Sequence, residues 1–158
     1  MKISVVICVY TEERWDDIGA AVRSVRGQRR PPDELILVVD YNPELHLRLK
    51  GEYTDAIVVE NSHDRGLSGG KNTGTATATG DVVAFLDDDA VADAGWLEAF
   101  EEAMSERHGA DPAVVGVGGL TSRSGTRAHG RGGSPRSSTG PSGAPIAACP
   151  RNANPSAT

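Results

Sequence analysis

The chain opens on a continuous apolar run, Ile3-Ser4-Val5-Val6-Ile7-Cys8-Val9, rich in β-branched residues. A run without polar alternation is what a strand covered on both faces requires. Ile18, Ala21, Val22 and Val25 then recur at the spacing of one helix face, up to Gly27 and the breaker Pro31-Pro32. Leu35-Ile36-Leu37-Val38-Val39 predicts a second buried strand, ending at the turn-forming Asp40-Tyr41-Asn42-Pro43. A short amphipathic piece over 45–49 and a third strand over 57–59 follow. The polar, glycine-rich stretch 61–70 leads into a small-residue helix predicted over 71–79. Val82-Val83-Ala84-Phe85-Leu86 is a fourth strand, followed directly by Asp87-Asp88-Asp89. Trp96, Leu97, Phe100, Ala103 and Met104 mark another helix, and 114–117 offers a fifth, short strand. Strands alternating with helices imply an α/β fold, a mainly parallel sheet flanked by helices.

From Thr121 onward the pattern stops. Ile146 is the only large aliphatic residue there, and Gly, Ser, Ala, Pro and Arg dominate. Such a stretch buries too little apolar surface to offset its ordering entropy, so residues 121–158 are expected to form a disordered tail beside a folded unit over 1–120. The abruptness of the change suggests that a different reading frame or an artificial ending replaces the natural continuation. Sequencing of the coding DNA tests that expectation.

Charge sharpens the division. The tail holds five arginines and no acid, so the first 120 residues carry a net charge of −11. An acidic body argues against nucleic acid as a partner, because phosphate binding needs a basic face. Cys8 reads as a buried small hydrophobe and Cys149 lies in the Pro/Ala-rich tail, so no disulfide framework is expected. A cytoplasmic location, including the inner face of the membrane, is the default expectation. No apolar run approaches the roughly 20 residues that span a bilayer, so membrane contact would be peripheral.

Three adjacent carboxylates repel one another, and something must offset that cost. Asp87-Asp88-Asp89 follows a buried parallel strand, and ligands of open α/β sheets bind beyond the carboxyl ends of the strands. Paired hard oxygens completed by phosphate oxygens are the usual holders of Mg²⁺ or Mn²⁺. A solvated turn with an acidic helix cap fits the triplet equally well. An EF-hand does not, since Val91 and Ala92 stand where a ligand and the turn glycine belong. Nor does an aspartyl-nucleophile phosphatase, whose acidic pair follows the first strand; here that place is Tyr10-Thr11-Glu12. Asp40 and Tyr10 end their own strands, and each also fits a simpler role, an ordinary turn for Asp40 and a packed strand end for Tyr10. Arg65-Gly66-Leu67-Ser68-Gly69-Gly70-Lys71-Asn72 fails the spacing of a phosphate loop. It can serve either as a turn presenting N–H groups to an anion or as a flexible connection. The four histidines show no ligand spacing.

Taken together, these residues resemble the family 2 glycosyltransferases, whose nucleotide-binding half has the GT-A, Rossmann-like fold. Ser4-Val5-Val6-Ile7-Cys8-Val9-Tyr10-Thr11 is similar to the family's first strand, with Cys8 in place of a common proline and Thr11 of a common asparagine. Ser24-Val25-Arg26-Gly27-Gln28 is similar to its first-helix ending, and Glu34-Leu35-Ile36-Leu37-Val38-Val39-Asp40 to the strand ending in a base-recognising aspartate. Gly66-Leu67-Ser68-Gly69-Gly70-Lys71-Asn72-Thr73-Gly74 resembles the stretch written G-x-x-x-A-R-N-x-G, and the segment from Gly80 to Asp89 resembles the Asp-x-Asp strand. The resemblance implies a nucleoside-diphosphate sugar donor and Mg²⁺ or Mn²⁺. It places Tyr10 against the nucleobase, Asp40 on the base edge, Lys71 as a nearby positive charge, and Asp87 and Asp88 by the ribose and metal. Asp89, with Asp87, would hold the cation. Family members also use a general-base carboxylate further along the chain, which would lie in the acid-free tail. The expectation is therefore a truncated glycosyltransferase, weakly active or inactive as this chain, with an unidentified acceptor. Two readings compete: a non-catalytic nucleotide-binding fragment, and a sugar nucleotidyltransferase, whose glycine-rich loop should stand where Tyr10 to Arg14 stand.

Overall fold

The computed structural model describes residues 1–110, 116–119 and 146–150. Four parallel strands form its centre: β1 (Ile3–Val9), β2 (Glu34–Val39), β3 (Ile57–Glu60) and β4 (Val82–Asp87). Two short strands, β5 (Val117–Gly119) and β6 (Ile146–Pro150), extend the sheet to the order β3-β2-β1-β4-β6-β5. β6 runs antiparallel to both β4 and β5. The fifth strand thus lies later than the 114–117 expected; Val114 and Val115 fall outside the described residues. Of the stretch expected to lack regular structure, Ile146–Pro150 is a strand, and the remainder lies outside the described residues.

Why the central runs lack alternation is clear from the packing. Ile3, Val5, Ile7 and Val9 belong to one apolar cluster with α1 (Trp15–Arg26) and α2 (Pro43–Glu52), which contribute Ile18, Val22, Leu45 and Leu49. Val6, Ile36, Val38 and Val83 belong to a second cluster on the opposite face, covered by α3 (Leu67–Thr77). Each side chain of the Ile7 kind, fully withdrawn from water, contributes about 1.5–3 kcal/mol. The last helix, α4 (Trp96–Ala110), buries Leu97, Phe100 and Met104. None of the helices among the described residues is long and apolar enough to cross a membrane.

α3 begins four residues earlier than its sequence predicts, because its glycines are spacers rather than hinges. A β-carbon at Gly74 would stand 2.4 Å from Val6 Cγ1, and one at Gly69 would stand 1.8 Å from the Asp64 carbonyl oxygen. Only a bare backbone lets the helix lie this close to the sheet. Gly66 precedes it with φ +115°, a conformation that side-chain-bearing residues rarely adopt.

Candidate functional site

Parallel strands bring their carboxyl ends to one rim, and the register fixes which residues meet there. Cys8 pairs with Val38 on one side and with Asp87 on the other, so the segments leaving β1, β2 and β4 emerge side by side. Between them and α3 opens a cavity of about 320 Å³. Tyr10, Asp40, Lys71, Asp87, Asp88 and Asp89 all line it. The sequence had marked each of these six, and the fold brings them together.

The acidic triplet is not a uniform patch. Asp87 and Asp89 are exposed, whereas Asp88 turns inward and is 6% exposed. Its Oδ1 accepts a hydrogen bond from Arg14 Nη1 at 2.8 Å, and the same nitrogen lies 3.2 Å from Asp89 Oδ2. Burial raises the Asp88 carboxyl above the usual carboxylate range, outweighing the opposing pull of Arg14. Its second oxygen, Oδ2, is buried without a hydrogen-bond partner among the described residues. Arg14 also lies over the Tyr10 ring, 5.4 Å from its centre.

Arg14 is a cavity residue that the sequence pattern does not single out. It sits in a single 3₁₀ turn, Glu12–Arg14, whose start is capped by the Thr11 side chain. The chain therefore supplies its own cation against the repulsion within the triplet. The adjacency of β1 and β4 was the available signal, since a basic residue just past β1 then faces whatever follows β4.

Asp40 is held from two sides. Asn61 Nδ2 donates to its Oδ1 at 2.7 Å, and the Gly66 N–H donates to its Oδ2 at 3.0 Å. The glycine-rich turn thus spends one N–H on the protein itself. Tyr41, next along, has φ +51° and is tied down through its hydroxyl, which donates to the His63 carbonyl at 2.8 Å. Tyr10 is 51% exposed, so its ring can meet a planar ligand. Lys71 Nζ lies 5.4 Å from the centre of the Phe85 ring. Cys8 also lines the cavity, but burial pushes its thiol up to about 11, which leaves it protonated and a poor nucleophile at neutral pH.

Among the described residues, no three His, Cys, Asp or Glu side chains gather as a ready-made metal cage. The donors present still fit a hard divalent cation. Asp87 and Asp89 offer carboxylate oxygens at the cavity rim, Asp88 keeps an unpartnered oxygen, and Mg²⁺ characteristically takes only one or two carboxylates plus phosphate oxygens.

Comparisons with known proteins agree with this architecture. Over 122 residues the chain is 38% identical to the glucosyl-dolichyl phosphate glucuronosyltransferase of Haloferax volcanii, covering 75% of this chain and 38% of that protein. It is 34% identical over 114 residues to the pre-mycofactocin glycosyltransferase of Mycobacterium tuberculosis, covering 70% of this chain and 22% of the relative. The chain thus spans well under half the length of these relatives. The crystal structure of S. aureus TarS aligns with a TM-score of 0.62 at 20% identity, over 95% of this chain and 28% of that one. TarS 1–349 in complex with UDP-GlcNAc aligns with a TM-score of 0.54 at 24% identity, over 69% and 32% respectively. These likenesses establish the GT-A fold. Residues 4–143 match the family model for glycosyl transferase family 2, and the chain belongs to that family.

Proposed function

We propose that the cavity is the donor site of a glycosyltransferase, binding a nucleoside-diphosphate sugar together with Mg²⁺ or Mn²⁺. One observation carries this reading: Tyr10 after β1, Asp40 after β2, the triplet that closes β4 and Lys71 of α3 all open on one cavity. The chemistry of the lining matches the parts of such a donor. Tyr10 offers a face for the base. Asp40 retains a free lone pair on each oxygen and can accept from the base edge. Lys71 supplies positive charge toward the diphosphate, and Arg14 orients Asp88 and Asp89.

Asp87 and Asp89 would hold the cation. When bound, it supplies Lewis-acid neutralisation of the charge that develops on the departing nucleoside diphosphate. A TarS complex with UDP-GlcNAc, on the same fold, adds weight to a nucleotide-sugar ligand. Residues 121–158 hold no carboxylate that could deprotonate an acceptor hydroxyl, so the 158-residue chain is expected to bind donor and to transfer sugar poorly.

Titration calorimetry with UDP, GDP and dTDP, each with and without Mn²⁺, tests the reading. Metal-dependent binding of at least one nucleotide is the expected result. Absence of binding under every condition would sink it. Brisk sugar turnover by the purified chain, abolished in Asp89→Ala, would overturn the expectation of poor transfer while strengthening the donor site. Binding without turnover is also what a non-catalytic nucleotide module would give, and the absence of tail carboxylates favours that second reading for this chain in isolation.

A further inference from the structure

Asn61 follows β3 and does not line the cavity, yet it is tied to the rim through Asp40. Its backbone N–H donates to the Val39 carbonyl at 2.8 Å, and its side chain is buried, with the residue 8% exposed. Both amide hydrogens are used: Nδ2 donates to Asp40 Oδ1 at 2.7 Å and to the Asp64 carbonyl at 3.0 Å. Both acceptor positions are used as well, since Oδ1 accepts from the His63 N–H and from Thr73 Oγ1, each at 2.9 Å. A primary amide can make four such bonds, and here it makes all four.

The partners have different tasks. Asp40 is at the cavity, where its carboxylate has capacity left over. Asp64 belongs to the loop whose next-but-one residue, Gly66, donates to the other Asp40 oxygen. Thr73 lies on α3, two residues beyond Lys71. One buried amide therefore connects the carboxylate at one end of the cavity with the helix carrying the lysine. A side chain that only filled space behind the loop would have no reason to aim an N–H at a carboxylate facing the cavity, a bond stronger than one between neutral groups.

We propose that Asn61 is a positioning residue for nucleotide recognition: it fixes the Asp40 carboxylate in the rotamer that reads the base edge and ties that choice to the placement of α3. The proposal rests on the reading of the cavity as a nucleotide site. It assigns Asn61 no contact with the ligand, so its effect must appear as lost base preference rather than lost phosphate affinity.

Asn61→Asp is the informative variant, because it keeps an acceptor for His63 and Thr73 and removes the two N–H donors, one facing Asp40 and one facing the Asp64 carbonyl. Affinities for UDP, GDP, CDP and dTDP, and for inorganic pyrophosphate, would be measured calorimetrically in Mn²⁺. The best nucleotide should weaken at least about tenfold and the spread among bases should shrink to about threefold, with pyrophosphate moving less than about twofold. The exchanged pair, Asp40→Asn with Asn61→Asp, restores an amide–carboxylate bond in reverse. It should regain part of the parent's melting temperature, since the Asp64 carbonyl still lacks its donor, without regaining base preference.

Retention of base preference in Asn61→Asp overturns the proposal. An equal loss for pyrophosphate and nucleotides does so too, since that is the mark of a collapsed loop. If the parent chain binds pyrophosphate with Mn²⁺ but shows no base preference, the inference about Asn61 fails while the phosphate end of the site stands. If the parent binds neither, the donor-site reading itself falls.

Discussion

Both rims of the parallel sheet carry acidic side chains, and the fold treats the two sets differently. Where the strands begin, Glu34 accepts from Ser4 Oγ at 2.7 Å, from the Thr79 N–H at 2.9 Å and from the Thr79 hydroxyl. Asp33 accepts from the Ile3 N–H and from Arg30, each at 2.8 Å, and Asp81 accepts from the Lys2 N–H at 2.8 Å. Where the strands end, the Asp87 carboxylate has no hydrogen bond or ion pair among the described residues, Asp88 has one oxygen unpartnered, and Asp89 shares a single arginine nitrogen. The first set joins segments distant in sequence. The second is left open toward a cavity. Bonding capacity left unused, rather than negative charge as such, separates the acids that build the molecule from those available to a ligand.

That distinction can be broken by exchange. The largest effect on stability should come from Glu34→Ala, which removes several bonds to a charged acceptor and leaves the buried Ser4 O–H without its acceptor, although Ser4 Oγ still accepts from the Gly80 N–H. A loss of about 3 kcal/mol, or roughly 10 °C in Tm, is expected, with any nucleotide affinity nearly unchanged. Asp89→Ala should do the reverse, weakening Mn²⁺-dependent nucleotide binding by at least about tenfold while leaving Tm within a degree or two. If Asp89→Ala instead melts the protein, or Glu34→Ala removes binding at constant Tm, the contrast between the rims is wrong.

Arg14→Ala tests the middle ground, because Arg14 serves an acid of the open rim. It should lower Tm by a few degrees, since the buried Asp88 loses its counter-charge, although screening at the half-exposed guanidinium limits the cost. The additional loss of Asp88→Asn in the Arg14→Ala background should be smaller than in the parent, as a double-mutant cycle by thermal unfolding would record. The smallest effect concerns pH. The Ile3 N–H, with help from Arg30, holds the Asp33 carboxyl below the usual carboxylate range. Its stabilisation is therefore complete above about pH 4, where the unfolded carboxyl ionises, and is lost as pH falls through the lower folded value. Asp33→Asn should flatten the fall in stability between about pH 4 and pH 2, measured by denaturant unfolding. Asp88 acts in the opposite sense. Its raised carboxyl makes the folded state the better proton binder, so its contribution becomes less favourable as pH rises from about 4 through the folded value.

Much of this architecture was legible in the residues. Unbroken β-branched runs gave the four parallel strands to within a residue at either end, because nothing but a strand covered on two faces suits Ile3 to Val9. The carboxylates at strand ends could be placed on one rim from parallel topology alone. Glycine misled: Gly69 and Gly70 read as loop and are helix, since sequence does not reveal whether a missing side chain provides freedom or clearance. Arg14 and Asn61 went unnoticed for a related reason. Neither belongs to a spaced pattern, and each acquires meaning only from partners 74 and 21 residues away.

The glycines of α3 have one more consequence. A segment of Gly, Thr and Ser residues is a poor helix former and would not hold its shape in water. It owes its conformation to the sheet it lies against, so the side of the cavity bearing Lys71 exists only once β1 and β2 are in place. Amide exchange should accordingly be fast along α3 and slow in β1, and a bound nucleotide should slow the helix most. Ligand affinity in such a molecule includes the work of ordering that helix.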